Sequence, residues 1–114
     1  MSSISTHVLD TARGRPAAGV DVFLDSCDHL GTWTELARGT TNSDGRIASL
    51  LADGAVLHPG IYRLRFATGN YFLSLGERGF YPEVHVLVSL DEPAARHHIP
   101  LLLSPYGYST YRGS

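Results

Sequence analysis

The sequence predicts an all-β fold, a sandwich or a barrel, in a single domain over residues 1–114. Apolar residues recur mainly at every second position, which is the period of a strand that buries one face. Clusters of turn-forming residues separate these alternating runs at short intervals. A chain of 114 residues has the length of one domain and can bury about two thirds of its unfolded surface. About seven short strands at this spacing are typical of a sandwich or a barrel.

The alternation defines the predicted strands. Val84, Val86, Val88 and Leu90 give the clearest example, because mostly polar residues occupy the positions between them. Strands are predicted at residues 4–9, 20–25, 31–39, 62–66, 83–90, 96–103 and, from a less regular pattern, 106–112. Turns are predicted between them at residues 15–16, 19, 28, 42–45, 58–60 and 91–93.

One segment departs from the alternation, the residues from Asn70 to Gly76. Thr68 or Asn70 can cap the N-terminus of a helix, and Gly76 can end it. The segment therefore predicts about two turns of helix between two strands.

Composition and charge exclude several classes of partner. The net charge is −2 and the nine basic residues, all arginine, are spread along the chain, which argues against binding to a nucleic acid. No apolar stretch approaches the ~20 residues of a membrane span, so no membrane partner is expected. Cys27 is the only cysteine, and the N-terminus does not resemble a signal peptide. Together these features predict a reducing, cytoplasmic location.

Strand parity predicts which histidines face away from the core. In the first strand the more apolar set, residues 4, 6 and 8, faces the core, so His7 points outward together with Ser5. In the penultimate strand residues 97, 99, 101 and 103 face the core, so His98, Pro100 and Leu102 point outward. His7 and His98 would lie close together if these strands are neighbours. Spacing alone leaves that open, and a histidine on a strand is more often simply solvated.

Other kinds of chemistry receive little support. His29, His58 and His85 are predicted on the surface, and no histidine pair has the tight spacing of a metal site. The sequence has no Gly-x-Ser-x-Gly nucleophile elbow and no glycine-rich phosphate loop. Cys27 has no basic neighbour in the sequence to activate its thiol, so it is not expected to act as a nucleophile.

Three blocks of sequence resemble the transthyretin-related proteins. The first is Ser-Thr-His-Val-Leu-Asp at residues 5–10, followed by Gly-Arg-Pro-Ala at 14–17. The second is Thr-Thr-Asn-Ser-Asp-Gly-Arg at residues 40–46, and the third is the closing stretch at 98–114. The final Tyr-Arg-Gly-Ser is similar to the ending that separates the 5-hydroxyisourate hydrolases from transthyretin, the hormone carrier. The resemblance runs from residue 4 to the last residue, with the blocks in the family's order.

This resemblance implies a transthyretin-like (prealbumin-like) sandwich of two four-stranded sheets with one short helix. It also implies that the first and penultimate strands pair within one sheet, whose outer face lines a channel through a homotetramer. His7 and His98 would then be neighbours on that face, together with Arg46 and the C-terminal strand.

The resemblance further implies a metal-independent cyclic amide hydrolase of urate degradation. Water opens the six-membered ring of 5-hydroxyisourate and gives 2-oxo-4-hydroxy-4-carboxy-5-ureidoimidazoline, with no metal or organic cofactor. His7 and His98 are the expected catalytic histidines, and which of them is the general base stays open. Arg46 would stabilise developing charge or hold an anionic substrate. The residues expected to position the substrate are Tyr111, Arg112, Gly113 and Ser114.

Two other functions compete with hydrolysis. A carrier of the transthyretin type would bind a small aromatic ligand in the channel without turnover, whereas a structural sandwich would have no small-molecule site.

Two positions depart from the family pattern. Arg96 stands where members often carry a histidine, and His97 replaces an aromatic residue. Arg96 would share the outward face with His98 and alter the charge near the site.

Overall fold

The computed structural model describes residues 2–92 and 95–114. Within these residues the chain forms two β-sheets, one of four strands and one of six, and one helix. Side chains from both sheets meet in one hydrophobic core, so the predicted all-β sandwich is confirmed. The predicted turn at residues 91–93 ends at Pro93, which lies outside the described residues, as does Met1.

The strands are numbered along the chain. They are β1 Ser3–Asp10, β2 Arg15–Pro16, β3 Asp21–Cys27, β4 Trp33–Thr40, β5 Arg46–Ile47, β6 Gly60–Phe66, β7 Val84–Leu90, β8 Arg96–His98, β9 Leu101–Ser104 and β10 Gly107–Thr110. Helix α1, Thr68–Ser74, lies between β6 and β7. The four-stranded sheet is antiparallel and has the order β4-β3-β6-β7, and each of its strands overlaps a predicted strand.

Strand β1 is the centre of the second sheet. Strands β8 and β9 run parallel to β1, and β10 pairs antiparallel with β9. The short strands β5 and β2 pair antiparallel with β1, so Arg15 and Pro16 form a strand where a turn was predicted. This sheet has six pieces among the described residues instead of the expected four, because it contains two-residue strands and one broken strand.

The break divides the strand that was predicted over residues 96–103. It falls at Ile99 and Pro100, where proline has a fixed φ and no N–H to donate to a continuous ladder. The segment stays attached to β1, because the N–H of Ile99 donates to the carbonyl of Ser5 at 2.9 Å. The hydroxyl of Thr6 also donates to the carbonyl of Ile99 at 2.6 Å. Pro100 is buried, against the parity prediction, because regular alternation stops at this break.

Helix α1 begins at Thr68, earlier than the predicted start at Asn70, and Gly76 follows its end with φ +75°. Ala67 occupies the N-cap position, and no side chain caps the helix. The hydroxyl of Thr68 instead donates to the carbonyl of Tyr81 at 3.2 Å. Packing of the helix against the sandwich, rather than a capping side chain, therefore sets where it begins.

The core confirms the parity of β1. Ile4, Thr6 and Val8 are at most 1% exposed, whereas His7 is half-buried on the opposite face. Each fully buried large apolar side chain contributes roughly 1.5–3 kcal/mol by leaving water. The largest such side chains are Phe66, Phe72, Ile4, Leu24, Leu64, Leu101 and Leu103. In the part of the chain that the structure describes, no helix is long and apolar enough to cross a membrane.

Candidate active site

The three candidate catalytic residues come together on the outward face of the β1-centred sheet. His7 lies directly opposite Arg46 across the β1–β5 pair. Ser5 lies directly opposite His98 across the parallel β1–β8 pair. Ser5 and His7 share one face of β1 because they are two positions apart. The register of three strands therefore gathers His7, Arg46 and His98 around the same stretch of β1.

The surroundings of His98 favour its neutral form. Its imidazole is half-buried, and its Nδ1 lies 2.8 Å from the hydroxyl oxygen of Ser5. Burial lowers the pKa of His98 below its ordinary value of 6.5, and the charges of Arg46 and His7 lower it further. His98 is therefore neutral at pH 7, and a neutral imidazole has one nitrogen lone pair with which to accept a proton.

A tight turn over residues 42–45 places Arg46 beside β1. The side-chain oxygen of Asn42 accepts hydrogen bonds from the N–H groups of Asp44 at 2.9 Å and Arg46 at 3.0 Å. Gly45 has φ +73°, and its carbonyl accepts the N–H of Val8 at 2.8 Å. A Cβ at Gly45 would clash with the carbonyl oxygen of Val8, so this close approach requires glycine. The side chain of Arg46 is exposed.

The last residues return to His98 after β10 ends. Thr110 ends the strand and its hydroxyl donates to the carbonyl of Pro100 at 2.6 Å. The N–H of Gly113 donates to the carbonyl of His98 at 2.8 Å and forms an antiparallel bridge. The strand predicted over 106–112 is therefore shorter, and the chain beyond it packs onto β8. The other residues of the ending are exposed: Tyr111, Arg112 and Ser114.

A pocket of about 540 Å³ opens beside His98, between β7 and β8. Tyr111 and Arg112 line it, and so does His97. Four of the proposed site residues are not among its lining in the described chain: His7, Arg46, Gly113 and Ser114. His98 is thus the residue at which the pocket meets the outward face that carries His7 and Arg46.

The two residues that depart from the family pattern occupy different environments. His97 is half-buried at the pocket, and its Nε2–H donates a hydrogen bond to the carbonyl oxygen of Glu92 at 3.0 Å. Arg96 is exposed. Within residues 2–92 and 95–114, no three histidine, cysteine or acidic side chains lie close enough to hold a metal ion.

Sequence reasoning missed the contact between Ser5 and His98. Parity placed Ser5 on the outward face but gave it no role. The contact joins residues 93 positions apart and depends on the register of two parallel strands. A pattern read along one strand does not contain that register, and only the shared face of Ser5 and His7 pointed toward the site.

Comparisons with known proteins identify the family. The family model described as "HIUase/Transthyretin family" matches residues 4–113. The 5-hydroxyisourate hydrolase of Salmonella dublin is 47% identical over 111 residues, which cover 97% of this chain and 80% of that protein. The structure of Klebsiella pneumoniae 5-hydroxyisourate hydrolase has a TM-score of 0.85 at 37% identity and covers 99% of this chain and 100% of that one. Sea bream transthyretin in complex with thyroxine has a TM-score of 0.89 at 28% identity, covering 97% of this chain and 94% of that one. The chain therefore belongs to the HIUase/Transthyretin family.

Proposed function

We propose that this protein hydrolyses 5-hydroxyisourate to 2-oxo-4-hydroxy-4-carboxy-5-ureidoimidazoline, as a step in urate degradation. The observation that carries the proposal is the convergence of His98, Arg46 and His7 on one outward face. The hydrolases from Salmonella dublin and Klebsiella pneumoniae, which align along nearly the whole chain, support the same reaction. Water is the nucleophile, and its activation needs a base but no metal or organic cofactor.

His98 is the general base in this proposal. Its imidazole takes a proton from water, and the water oxygen bonds to a ring carbonyl carbon of the substrate. The C–N bond of that amide then breaks, the ring nitrogen receives a proton, and the attacked carbonyl becomes the carboxyl group of the product. The lowered pKa of His98 supports this role, because the imidazole is unprotonated at pH 7 and ready to accept a proton.

Arg46 and His7 act on the charge that develops during the attack. The guanidinium of Arg46 donates hydrogen bonds to the negative carbonyl oxygen of the tetrahedral intermediate, or holds an anionic substrate in place. His7, directly opposite Arg46, orients the water or supplies the proton that the ring nitrogen needs. Loss of one donor to such an oxyanion typically costs about 2.7–4 kcal/mol in the activation free energy.

The last four residues position the substrate in this proposal: Tyr111, Arg112, Gly113 and Ser114. Support comes from the pocket beside His98, which Tyr111 and Arg112 line. Deleting residues 111–114, or extending the chain past Ser114 with a tag, should impair turnover while the sandwich stays folded by circular dichroism. A tagged protein with unchanged turnover would exclude a role for the free carboxylate.

A small-molecule carrier is the second candidate, because the fold is similar to a transthyretin structure that contains thyroxine. The two histidines and the arginine on the outward face disfavour an apolar aromatic ligand there, because their polar groups would lose water without gaining partners. Saturable binding of iodinated phenols, without any turnover of 5-hydroxyisourate, would favour the carrier.

Residues 1–114 act as a single domain in this proposal, and four copies assemble into a homotetramer in the cytoplasm. Large exposed side chains support assembly, since Phe80 is 70% exposed and Tyr106 is 78% exposed in a single copy. The single cysteine, Cys27, suits a reducing compartment. Sedimentation equilibrium at micromolar concentration tests the tetramer, and a fully active monomer would contradict it.

The activity itself is tested by the ultraviolet absorbance of freshly made 5-hydroxyisourate. The purified protein should make this absorbance fall faster than the spontaneous decay of the compound in the same buffer. A decay rate equal to that of the buffer would overturn the proposal.

A further inference from the structure

The side chain of His98 is held from one side by β1. Its Nδ1 lies 2.8 Å from Ser5 Oγ, and the two residues are direct partners in the parallel β1–β8 pair. The next ladder contact follows immediately, where the N–H of Ile99 donates to the carbonyl of Ser5 at 2.9 Å. The backbone of Ser5 is therefore held beside the backbone that carries the imidazole, within reach of Nδ1.

The C-terminal chain holds His98 from another direction. The N–H of Gly113 donates to the carbonyl of His98 at 2.8 Å. A Cβ on Gly113 would lie 2.5 Å from Cδ2 and 3.1 Å from Cγ of the His98 ring. Gly113 does not have a positive φ, so the backbone conformation does not require glycine here. The requirement comes from the imidazole, which occupies the space that a methyl group would need.

We propose that Ser5 and Gly113 are positioning residues that fix the ring of His98 and direct its Nε2 to the substrate. The inference rests on the proposed hydrolase function. In this arrangement the Nδ1–H of His98 donates to Ser5 Oγ, which lies 2.8 Å away. The lone pair is then on Nε2, the nitrogen for which the described residues provide no hydrogen-bond partner. Nε2 is then the atom that takes the proton from water. Residues 111–114 then have a second role besides contact with the substrate, because Gly113 sets the orientation of His98.

A pair of substitutions at Ser5 isolates the hydroxyl from the shape of the side chain. Valine and threonine have nearly the same size and both suit a strand, but only threonine retains a hydroxyl. Ser5→Val should lower kcat by about 10- to 100-fold with little change in KM, since a misdirected catalytic group typically costs this much. Ser5→Thr should retain most of the wild-type kcat.

A matched pair of glycines isolates the contact with the imidazole. Gly113 and Gly107 are both half-buried near the C-terminus, and neither has a positive φ. A Cβ at Gly107 would approach nothing closer than Ser104 Oγ at 3.8 Å. Gly113→Ala should therefore lower kcat at least as much as Ser5→Val, whereas Gly107→Ala should behave like the wild type.

A readout without substrate separates this proposal from the hydrolase assignment. Nitrogen-15 NMR of the ligand-free protein, with the His98 signals identified by their loss in His98→Gln, reports which ring nitrogen carries the proton. The wild type and Ser5→Thr should show His98 protonated on Nδ1, and Ser5→Val should show a mixture of tautomers. Thermal unfolding of each variant verifies that it is folded.

Each outcome bears on the proposal. A wild type that is inactive but shows the Nδ1-protonated ring would overturn the hydrolase assignment and leave the positioning of His98 intact. The proposal that Ser5 positions His98 is overturned if Ser5→Val keeps the wild-type tautomer and kcat. It is also overturned if the tautomer of Ser5→Val changes while its kcat does not, or if Ser5→Thr loses as much kcat as Ser5→Val. If Gly113→Ala is as active as Gly107→Ala, the contact between Gly113 and the imidazole of His98 has no role in positioning the ring.

Discussion

At the scale of single residues, the proposed mechanism depends on the charge of His98. Half-burial and the charges of Arg46 and His7 keep its imidazole neutral at a pH where a solvated histidine begins to be protonated. Strand parity predicted that His7 and His98 face outward. It did not predict that Arg46 lies directly opposite His7, because this depends on the pairing of residues far apart in the sequence. The resemblance to a known family placed Arg46 on that face and paired the first strand with the penultimate one.

Replacing Arg46 should change the titration of His98. Arg46→Gln removes a positive charge that disfavours the imidazolium, so the pKa of His98 should rise toward 6.5. NMR titration of the His98 ring protons measures this shift. The matched control is Arg38→Gln, an exposed arginine on β4 of the other sheet, and it should leave the titration of His98 unchanged.

The same shift predicts the acid limb of the pH profile. If neutral His98 is the base, kcat/KM of the wild type should fall as the pH drops through the pKa of His98, which lies below 6.5. Residual activity of Arg46→Gln should begin to fall at a higher pH than in the wild type. A titration of His98 that does not move in this variant would contradict the electrostatic account.

At the scale of secondary-structure elements, the turn before β5 places the proposed catalytic Arg46 beside β1. Gly45 has a positive φ and lies against the carbonyl of Val8, and the next residue is Arg46. The turn-forming residues at 42–45 predicted this turn, but nothing in the sequence predicted the short strand β5 that follows it. Two-residue strands contain too few residues to show an alternation, which is also why β2 was predicted as a turn.

Gly45→Ala should destabilise the fold and impair turnover. An alanine pays about 1–2 kcal/mol for the left-handed conformation, and at Gly45 it also displaces the backbone of β1. Gly54→Ala is the control, since Gly54 has φ +81° but no atom within 4 Å of an added Cβ. Urea unfolding should show a larger loss of free energy for Gly45→Ala, and an equal loss in both variants would show that the contact with Val8 is unimportant.

Helix α1 is tied to the end of β1 through the buried carboxylate of Asp10. The hydroxyl of Tyr71 donates to Asp10 Oδ2 at 2.7 Å, and the N–H of Arg13 donates to Oδ1 at 3.0 Å. Burial alone would raise the pKa of Asp10, but these donors and the guanidinium of Arg13 hold it below 3.8. Burial and the contact with Asp10 raise the pKa of Tyr71 to about 12.

Tyr71→Phe should lower the free energy of unfolding by about 1.5–3 kcal/mol at neutral pH, because it removes a hydrogen bond to a buried charge. Tyr106→Phe, at a side chain that is 78% exposed, is the control and should have almost no effect. The stability that a depressed pKa provides is present above 3.8 and is lost as the pH falls through the folded-state value. The difference in free energy of unfolding between Tyr71→Phe and the wild type should therefore become smaller below pH 3.8.

At the scale of the whole molecule, alternation predicted an all-β fold but left a sandwich and a barrel as alternatives, and the resemblance to a known family favoured the sandwich. Each strand of the first sheet is a single piece, and three of them, β3, β6 and β7, show the period of two in the sequence. The second sheet is broken at Pro100 and completed by short pieces. A charged residue is also buried where its polarity predicts exposure. Asp25 is on the outward face of its strand but only 2% exposed, because Arg63 and Arg65 bind its carboxylate from the neighbouring strand.

The central claim is that the protein hydrolyses 5-hydroxyisourate and that His98 and Arg46, on the outward face of the β1-centred sheet, are the catalytic residues. The most direct measurement is the decay of the substrate's ultraviolet absorbance with His98→Ala, Arg46→Ala and the control His85→Ala, whose side chain lies exposed on the other sheet. The first two variants should lose at least about 100-fold in kcat/KM, whereas the control should match the wild type. Wild-type rates in both His98→Ala and Arg46→Ala would contradict the account.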